Sequence, residues 1–171
     1  AQYAIPNDLT NLYAAIGGGD QLNAHTSFEE TVYKTGLPSN RLKQWATIET
    51  ERFQNPVFRI FQSELETVYE EKNTSLDEKG WLTGDAMRKL MYKKHPYGQQ
   101  TIIGTVENLK SPSLKDMYWY FDTYYVPNNM AICISGNIDV DDTIQVIDKH
   151  FSAWKSKELP PPINIEEPPI K

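Results

Sequence analysis

The stretch "RIFQSELETVYEEKN", residues 59–73, spaces Phe61, Leu65 and Val68 along one line, with Phe58 just ahead of it. At about 100° per residue these side chains form a single apolar stripe, and their spacing conflicts with the two-residue alternation of a half-buried strand. A long amphipathic helix over about residues 57–72 is therefore predicted. Four glutamates share the segment, and the helical wheel separates them. Glu66 and Glu70 fall opposite the stripe, where water covers them. Glu64 and Glu71 stack on its flank, about 60–80° from Phe61, and are expected to be partly withdrawn from water. A carboxylate buried alone costs several kcal/mol, so it requires a cation, hydrogen-bond donors or a proton. A lysine or arginine of a neighbouring helix meets that requirement as well as a metal does.

Proline and glycine divide the remaining chain. Residues 1–20 read as a short helix opened near Asn7 and closed by Gly17, Gly18 and Gly19. No Gly-Lys-Ser/Thr follows those glycines, so they mark a turn and not a phosphate loop. "LNAHTSFEETVYKT", residues 22–35, carries strand-forming residues on both sides of "SFEE" and predicts a hairpin. A helix is expected from about Ser39 to Phe53, burying Leu42, Trp45, Ile48, Glu49 and Phe53, and Asn55-Pro56 breaks it. The acidic helix continues, after a loosening at "NTSLDEKG", into "WLTGDAMRKLMYKK", and "HPYG" at 95–98 stops it.

An aromatic helix, "SPSLKDMYWYFDTYY", follows, with Ser111 and Pro112 at its cap and first turn. Next come a strand "MAICIS", a turn at Gly136-Asn137, and a helix capped by Asp139 with Ile144, Ile147, Phe151 and Trp154 in one stripe. Five prolines among the thirteen residues of "LPPPINIEEPPIK" exclude helix and favour an extended connector. The organisation expected is one domain over 1–157 and a Pro-rich linker to a further domain over 158–171.

A chain of 171 residues buries roughly 70% of its unfolded surface on folding, so no disulfide or metal staple is required. Its 17 basic and 23 acidic residues give a net charge of -6, which repels a phosphate backbone and argues against nucleic acid as a partner. No apolar run approaches the ~18 residues of a membrane span. The single cysteine, Cys133, lies in "MAICISG" and is expected to be a buried structural thiol. His25, His95 and His150 fall in three different elements, without H-E-x-x-H, H-x-x-E-H or C-x-x-C. A complete metal site is not expected from this chain by itself. If Glu64 holds a metal ion, the other ligands come from elsewhere.

"LNAHTSFEETVY" is similar to the N-A-x-T-S-x-E-x-T-x-Y signature of the pitrilysin/insulinase-type zinc metallopeptidases, the inverzincins, which are related to mitochondrial processing peptidase. The resemblance continues through "FQSELETVYEEKN" and through "HPYGQQTIIGTVENLKSPSLKDMYWYFDTYYVPNNMAICISGNID", covering about residues 7–155. It implies an α+β domain with a mixed or antiparallel sheet and helices packed on one face.

In that family H-x-x-E-H supplies two zinc-binding histidines and a glutamate general base, and a later helix supplies the third protein ligand. The resemblance sets Glu64 on that third ligand, and Glu71, stacked beside it on the helical wheel, is a supporting candidate. It sets Asn23 and Ala24 on an edge strand that holds extended substrate by main-chain hydrogen bonds. A turn or bulge residue at a strand start remains the other reading of Asn23. His25 occupies a variable position of the signature, and His95 reads as a cap or loop-packing residue.

The chain departs from the family where H-x-x-E-H should stand: residues 1–22 contain no histidine. Either the chain is a piece of a longer peptidase that begins after the catalytic helix, or it is a natural degenerate subunit, or a second polypeptide supplies the motif. The first is favoured. The implied function is a portion of a zinc-dependent peptide hydrolase in which a zinc-bound water, activated by the upstream glutamate, attacks the scissile carbonyl. Zinc belongs to the intact parent protein, and none is expected on this chain alone, which is predicted inactive. The implied partners are a peptide or unfolded protein substrate and a second homologous domain, in the same chain or another. The alternative is a non-catalytic domain that binds peptides or a partner. An exported, bacterial setting is favoured.

Overall fold

The computed structural model describes residues 8–169, so the cap expected at Asn7 lies outside the described residues. In chain order the regular elements are helix α1 (Asp8–Ala15), strands β1 (Asn23–Thr26) and β2 (Thr31–Lys34), and helices α2 (Leu42–Gln54), α3 (Phe61–Asp77) and α4 (Lys79–Met91). Helices α5 (Pro96–Gln99), α6 (Val106–Lys110), α7 (Leu114–Tyr124) and α8 (Val140–Phe151) follow. The fold is α+β: helix-rich, with a small antiparallel sheet of the two strands β1 and β2. The predicted hairpin forms. Ser27 shapes its turn, with the N–H donating to the Glu30 carbonyl at 2.8 Å and Oγ accepting from the N–H groups of Glu29 and Glu30.

The chain divides into two compact units. The first comprises Ala1–His25, Thr31–Arg59 and Met117–Pro160. Its centre is the packing of α2 on α8. Tyr13, Ala46, Phe53, Val126 and Val146 are buried there, and each large apolar side chain so buried contributes roughly 1.5–3 kcal/mol. Helix α8 starts where expected: Asp139 Oδ1 accepts from the Asp142 N–H at 2.9 Å.

Of the expected stripe of α8, Ile147, Phe151 and Trp154 are half-buried, with Phe151 against Trp45 of α2, and the departure is at its start. Ile144 is 58% exposed, while Thr143 and Val146 are buried. Thr143 tolerates burial because its hydroxyl donates to the Asp139 carbonyl at 2.5 Å. Helix α7 begins at Leu114, capped by Ser113 Oγ accepting from the Asp116 N–H at 3.1 Å, two residues beyond the cap read from the sequence.

"MAICIS" is extended at Met130 but belongs to no strand, because among the described residues no neighbour supplies a ladder. Cys133 is consequently exposed, not buried. Beyond α8, the tail passes Lys157, whose ammonium pairs with Asp122 and whose backbone N–H and C=O both meet the Asn128 side chain.

The second unit comprises Thr26–Glu30, Ile60–Asp116 and Pro161–Lys171. Helix α3 packs on α4 and α6. It starts at Phe61 and not at Val57, since Ile60 takes a left-handed conformation (φ 47°) that a helix cannot continue through. The loosening expected at 73–80 narrows to Glu78, whose extended backbone separates α3 from α4. His95 caps α5 as predicted, Nδ1 accepting from the Tyr97 N–H at 3.3 Å.

Candidate functional site

The acidic helix presents two surfaces. Phe61, Leu65 and Val68 are half-buried, as the periodicity requires, and the same line runs on to Lys72, which is 5% exposed. Sequence reasoning passed over Lys72 because the residue is charged, although its i, i+4, i+7, i+11 spacing from Phe61 was visible. Its ammonium lies 4.3 Å over the Trp81 ring and 3.3 Å from Thr101 Oγ1. A cation–π contact and one hydroxyl are what compensate its burial. Burial holds the ammonium below the ordinary lysine range, against the opposing charge of Asp85.

Glu64 and Glu71 are exposed, which corrects the expectation that both are partly withdrawn from water. The wheel had the phase right. What it lacked was the width of the buried arc, which in this unit closes over the Phe61–Lys72 line without reaching the flank. No salt bridge among the described residues reaches either carboxylate. Both are thus open to solvent on one side of α3, seven residues apart.

Strand β1 is exposed at all four positions and pairs only with β2, leaving its other edge open among the described residues. Asn23 Oδ1 accepts from the Ala24 N–H at 2.8 Å. The asparagine therefore shields one main-chain donor at the start of that edge. Asn23 and Ala24 belong to the first unit and Glu64 and Glu71 to the second.

No three His, Cys, Asp or Glu side chains converge on a metal-sized space among the described residues. The residues present do not by themselves make a zinc centre. A single carboxylate lacks the three or four ligands that the ion requires. No helix of the described residues is long and apolar enough to cross a membrane. In the first unit a cleft of about 310 Å³ is lined by aromatic rings, among them Phe53, Tyr118, Phe121 and Trp154, and by the Asp122–Lys157 pair. None of the four predicted site residues lines it.

The model of the "Peptidase M16 inactive domain" matches residues 112–171. The chain is 26% identical over 175 residues to the β subunit of the mitochondrial-processing peptidase of Saccharomyces cerevisiae, covering 99% of this chain and 36% of that one. It is 28% identical to the uncharacterized zinc protease YmxG of Bacillus subtilis, over 88% of this chain and 36% of the relative. Among solved structures it superimposes on a protease from Helicobacter pylori with a TM-score of 0.80 and 26% identity, covering 92% of this chain and 39% of that one.

The chain belongs to the M16 peptidase family.

The fold agreement extends to the first half of the periplasmic protease PqqL of Escherichia coli (TM-score 0.80, 22% identity, 95% of this M16 chain and 36% of that one). The M16 chain spans about a third of the length of the curated relatives it matches, 33% and 36% in two cases. The resemblance to pitrilysin/insulinase-type peptidases read from "NAHTS" and the acidic helix therefore stands.

Proposed function

We propose that this chain is the part of an M16 zinc peptidase that contributes one carboxylate ligand and a substrate-aligning strand, the remaining metal ligands and the general base lying on another segment. The observation that carries this reading is the pair Glu64 and Glu71, free of ion pairs on one open side of α3. Neither carboxylate is committed to a structural ion pair, as Glu66 and Glu70 of the same helix are not, so the pair is available to another segment, and the similarity of "QSELE" to the family's third-ligand helix is what singles out Glu64. Glu64 is the proposed ligand and Glu71 the supporting carboxylate. The names of the relatives, zinc proteases and a processing peptidase subunit, support zinc as the metal of the parent protein. The open edge of β1 at Asn23 and Ala24 suits an extended peptide, which adds to a sheet through main-chain hydrogen bonds. A second homologous domain, in the same chain or another, completes the assembly, with residues 158–171 as the linker to it.

The test uses the full-length protein. Zinc content and chelator-sensitive hydrolysis of an unstructured peptide are measured for the parent, Glu64→Gln and Glu71→Gln. The reading expects near-stoichiometric zinc in the parent, its loss in Glu64→Gln, and a fall in activity of at least 100-fold in both variants. Full zinc and full activity in both variants would overturn it. The chain alone is expected to hydrolyse nothing.

A second reading, a non-catalytic peptide- or partner-binding domain, is favoured by the same open edge and by the matched family model being that of the inactive domain. Saturable peptide binding by a full-length protein with neither zinc nor hydrolysis would select it.

A further inference from the structure

The second unit contains a polar arrangement unrelated to the acidic helix. Glu167, in the Pro-rich tail, accepts three backbone hydrogen bonds through one carboxylate: from Lys93 at 2.9 Å, Lys94 at 2.9 Å and His95 at 2.5 Å. Three successive N–H groups point to opposite sides in an extended strand. Their convergence on one anion requires a folded backbone, the geometry of an anion-binding nest.

The loop that makes this nest is fixed without help from the tail. Gln99 Nε2 donates to the carbonyls of Lys93 at 2.8 Å and Tyr92 at 3.4 Å, and the Gly98 N–H donates to the His95 carbonyl at 3.0 Å. Gly98 is there because the chain doubles back on itself: a Cβ at that position would lie 2.0 Å from the Tyr92 oxygen. The carbonyls of Tyr92, Lys93 and His95 and the His95 imidazole are thus engaged within the loop, and the three N–H donors are left to the tail. Lys93 and Lys94 add positive charge beside them.

The tail is shaped to fill this space. From Asn164 to Glu167 its burial alternates: Asn164 and Glu166 are exposed, and Ile165 and Glu167 are half-buried on the opposite face, while Ile163 ahead of them is 70% exposed. That is the two-residue period of a strand lying on a surface. Prolines at 160–162 and 168–169 fix φ on both sides and reduce the conformational freedom lost on docking.

We propose that the backbone N–H groups of Lys93, Lys94 and His95 form a carboxylate-binding nest whose resident ligand is Glu167, so that the Pro-rich segment is a latched strap on the second unit and not a free connector. The charge state follows the geometry. Partial desolvation pushes the Glu167 carboxyl up, but the N–H donors of His95, Lys94 and Lys93 and the nearby His95 imidazole outweigh it and hold the group below the ordinary glutamate range. The latch is closed at neutral pH and opens as pH falls through that lowered value.

Amide hydrogen exchange and the proton shifts of residues 93–95 test this on the whole chain, comparing the parent with Glu167→Gln and with Glu166→Gln, the outward-facing neighbour. In Glu167→Gln the three amides are expected to exchange at least tenfold faster and protease cleavage within 158–169 to accelerate, with unchanged circular dichroism. Glu166→Gln should match the parent. In the parent the three amide shifts should titrate together at acidic pH, and in Glu167→Gln they should not. Equal exchange in the parent and Glu167→Gln, or equal acceleration in both variants, would overturn the latch.

Discussion

The hydroxyl of Tyr13 donates to the carboxylate of Glu49 from α1 to α2, with both residues closed to solvent. Arg52 approaches the same carboxylate at 3.1 Å while its guanidinium lies 4.3 Å over the Tyr33 ring, and Tyr33 Oη meets Tyr125 Oη at 2.9 Å. One buried carboxylate thereby joins α1, β2, α2 and the end of α7. Hydrogen bonds to a charged group are worth about 1.5–3 kcal/mol. Tyr13→Phe should lower the unfolding free energy of this unit by about that amount, read from the denaturant midpoint.

The same pair gives an alkaline limit. Burial, then the hydrogen bond to Glu49 and its charge, hold the Tyr13 hydroxyl well above the ordinary tyrosine range, Arg52 opposing. The raised folded value means the stabilisation is fully present below the unfolded tyrosine value, about pH 10, and is lost as pH rises beyond it. Stability should fall above about pH 10 in the parent and fall less steeply in Tyr13→Phe. Parallel profiles would contradict the assignment.

Two glycines of the second unit should respond oppositely to alanine. Gly98→Ala forces a methyl group against the Tyr92 carbonyl and should disrupt the 92–100 loop, abolishing the protected amides at 93–95. Gly84 lies inside α4, where an added Cβ meets only the Arg88 guanidinium at 3.5 Å. Gly84→Ala should therefore stabilise by roughly 0.5–1 kcal/mol. Thermal melts of the two variants separate these outcomes.

Ile60 is a β-branched residue at positive φ, immediately before the helix that carries Glu64. Such a conformation costs about 1–3 kcal/mol. Ile60→Gly should recover about 1 kcal/mol of it, the rest being offset by the glycine's greater unfolded-state freedom. A lower midpoint in urea would show that the isoleucine side chain contributes more by packing than the strain costs.

On β1, Ala24→Pro in the full-length protein should raise KM for extended peptides at least tenfold with zinc content unchanged. Proline removes the Ala24 N–H that Asn23 Oδ1 holds and sets a pyrrolidine ring on the open edge where a peptide would pair, while leaving α3 untouched. An unchanged KM would remove β1 from the proposed peptide path.

Local rules explain what was legible. The hairpin around "SFEE", the Asp139 cap, the His95 cap and the burial of Glu49 on the α2 stripe all depend on a few neighbouring residues, and the structure agrees with each. The rest depends on which neighbours are present. Whether Glu64 is covered, whether the buried side of α8 takes in Ile144, and whether "MAICIS" finds a ladder are set by elements distant in sequence. Lys72 and Glu167 escaped notice for a related reason: both are charged residues whose partners, an indole ring and three peptide N–H groups, carry no signature in composition.

The strandless run at 130–135 also offers a practical handle. Its Cys133 is the sole thiol of the chain and is open to solvent, so a maleimide fluorophore or spin label attaches at one known point with no engineering. Quenching or protection of that reporter during assembly would reveal, in real time, whatever polypeptide comes to lie alongside it.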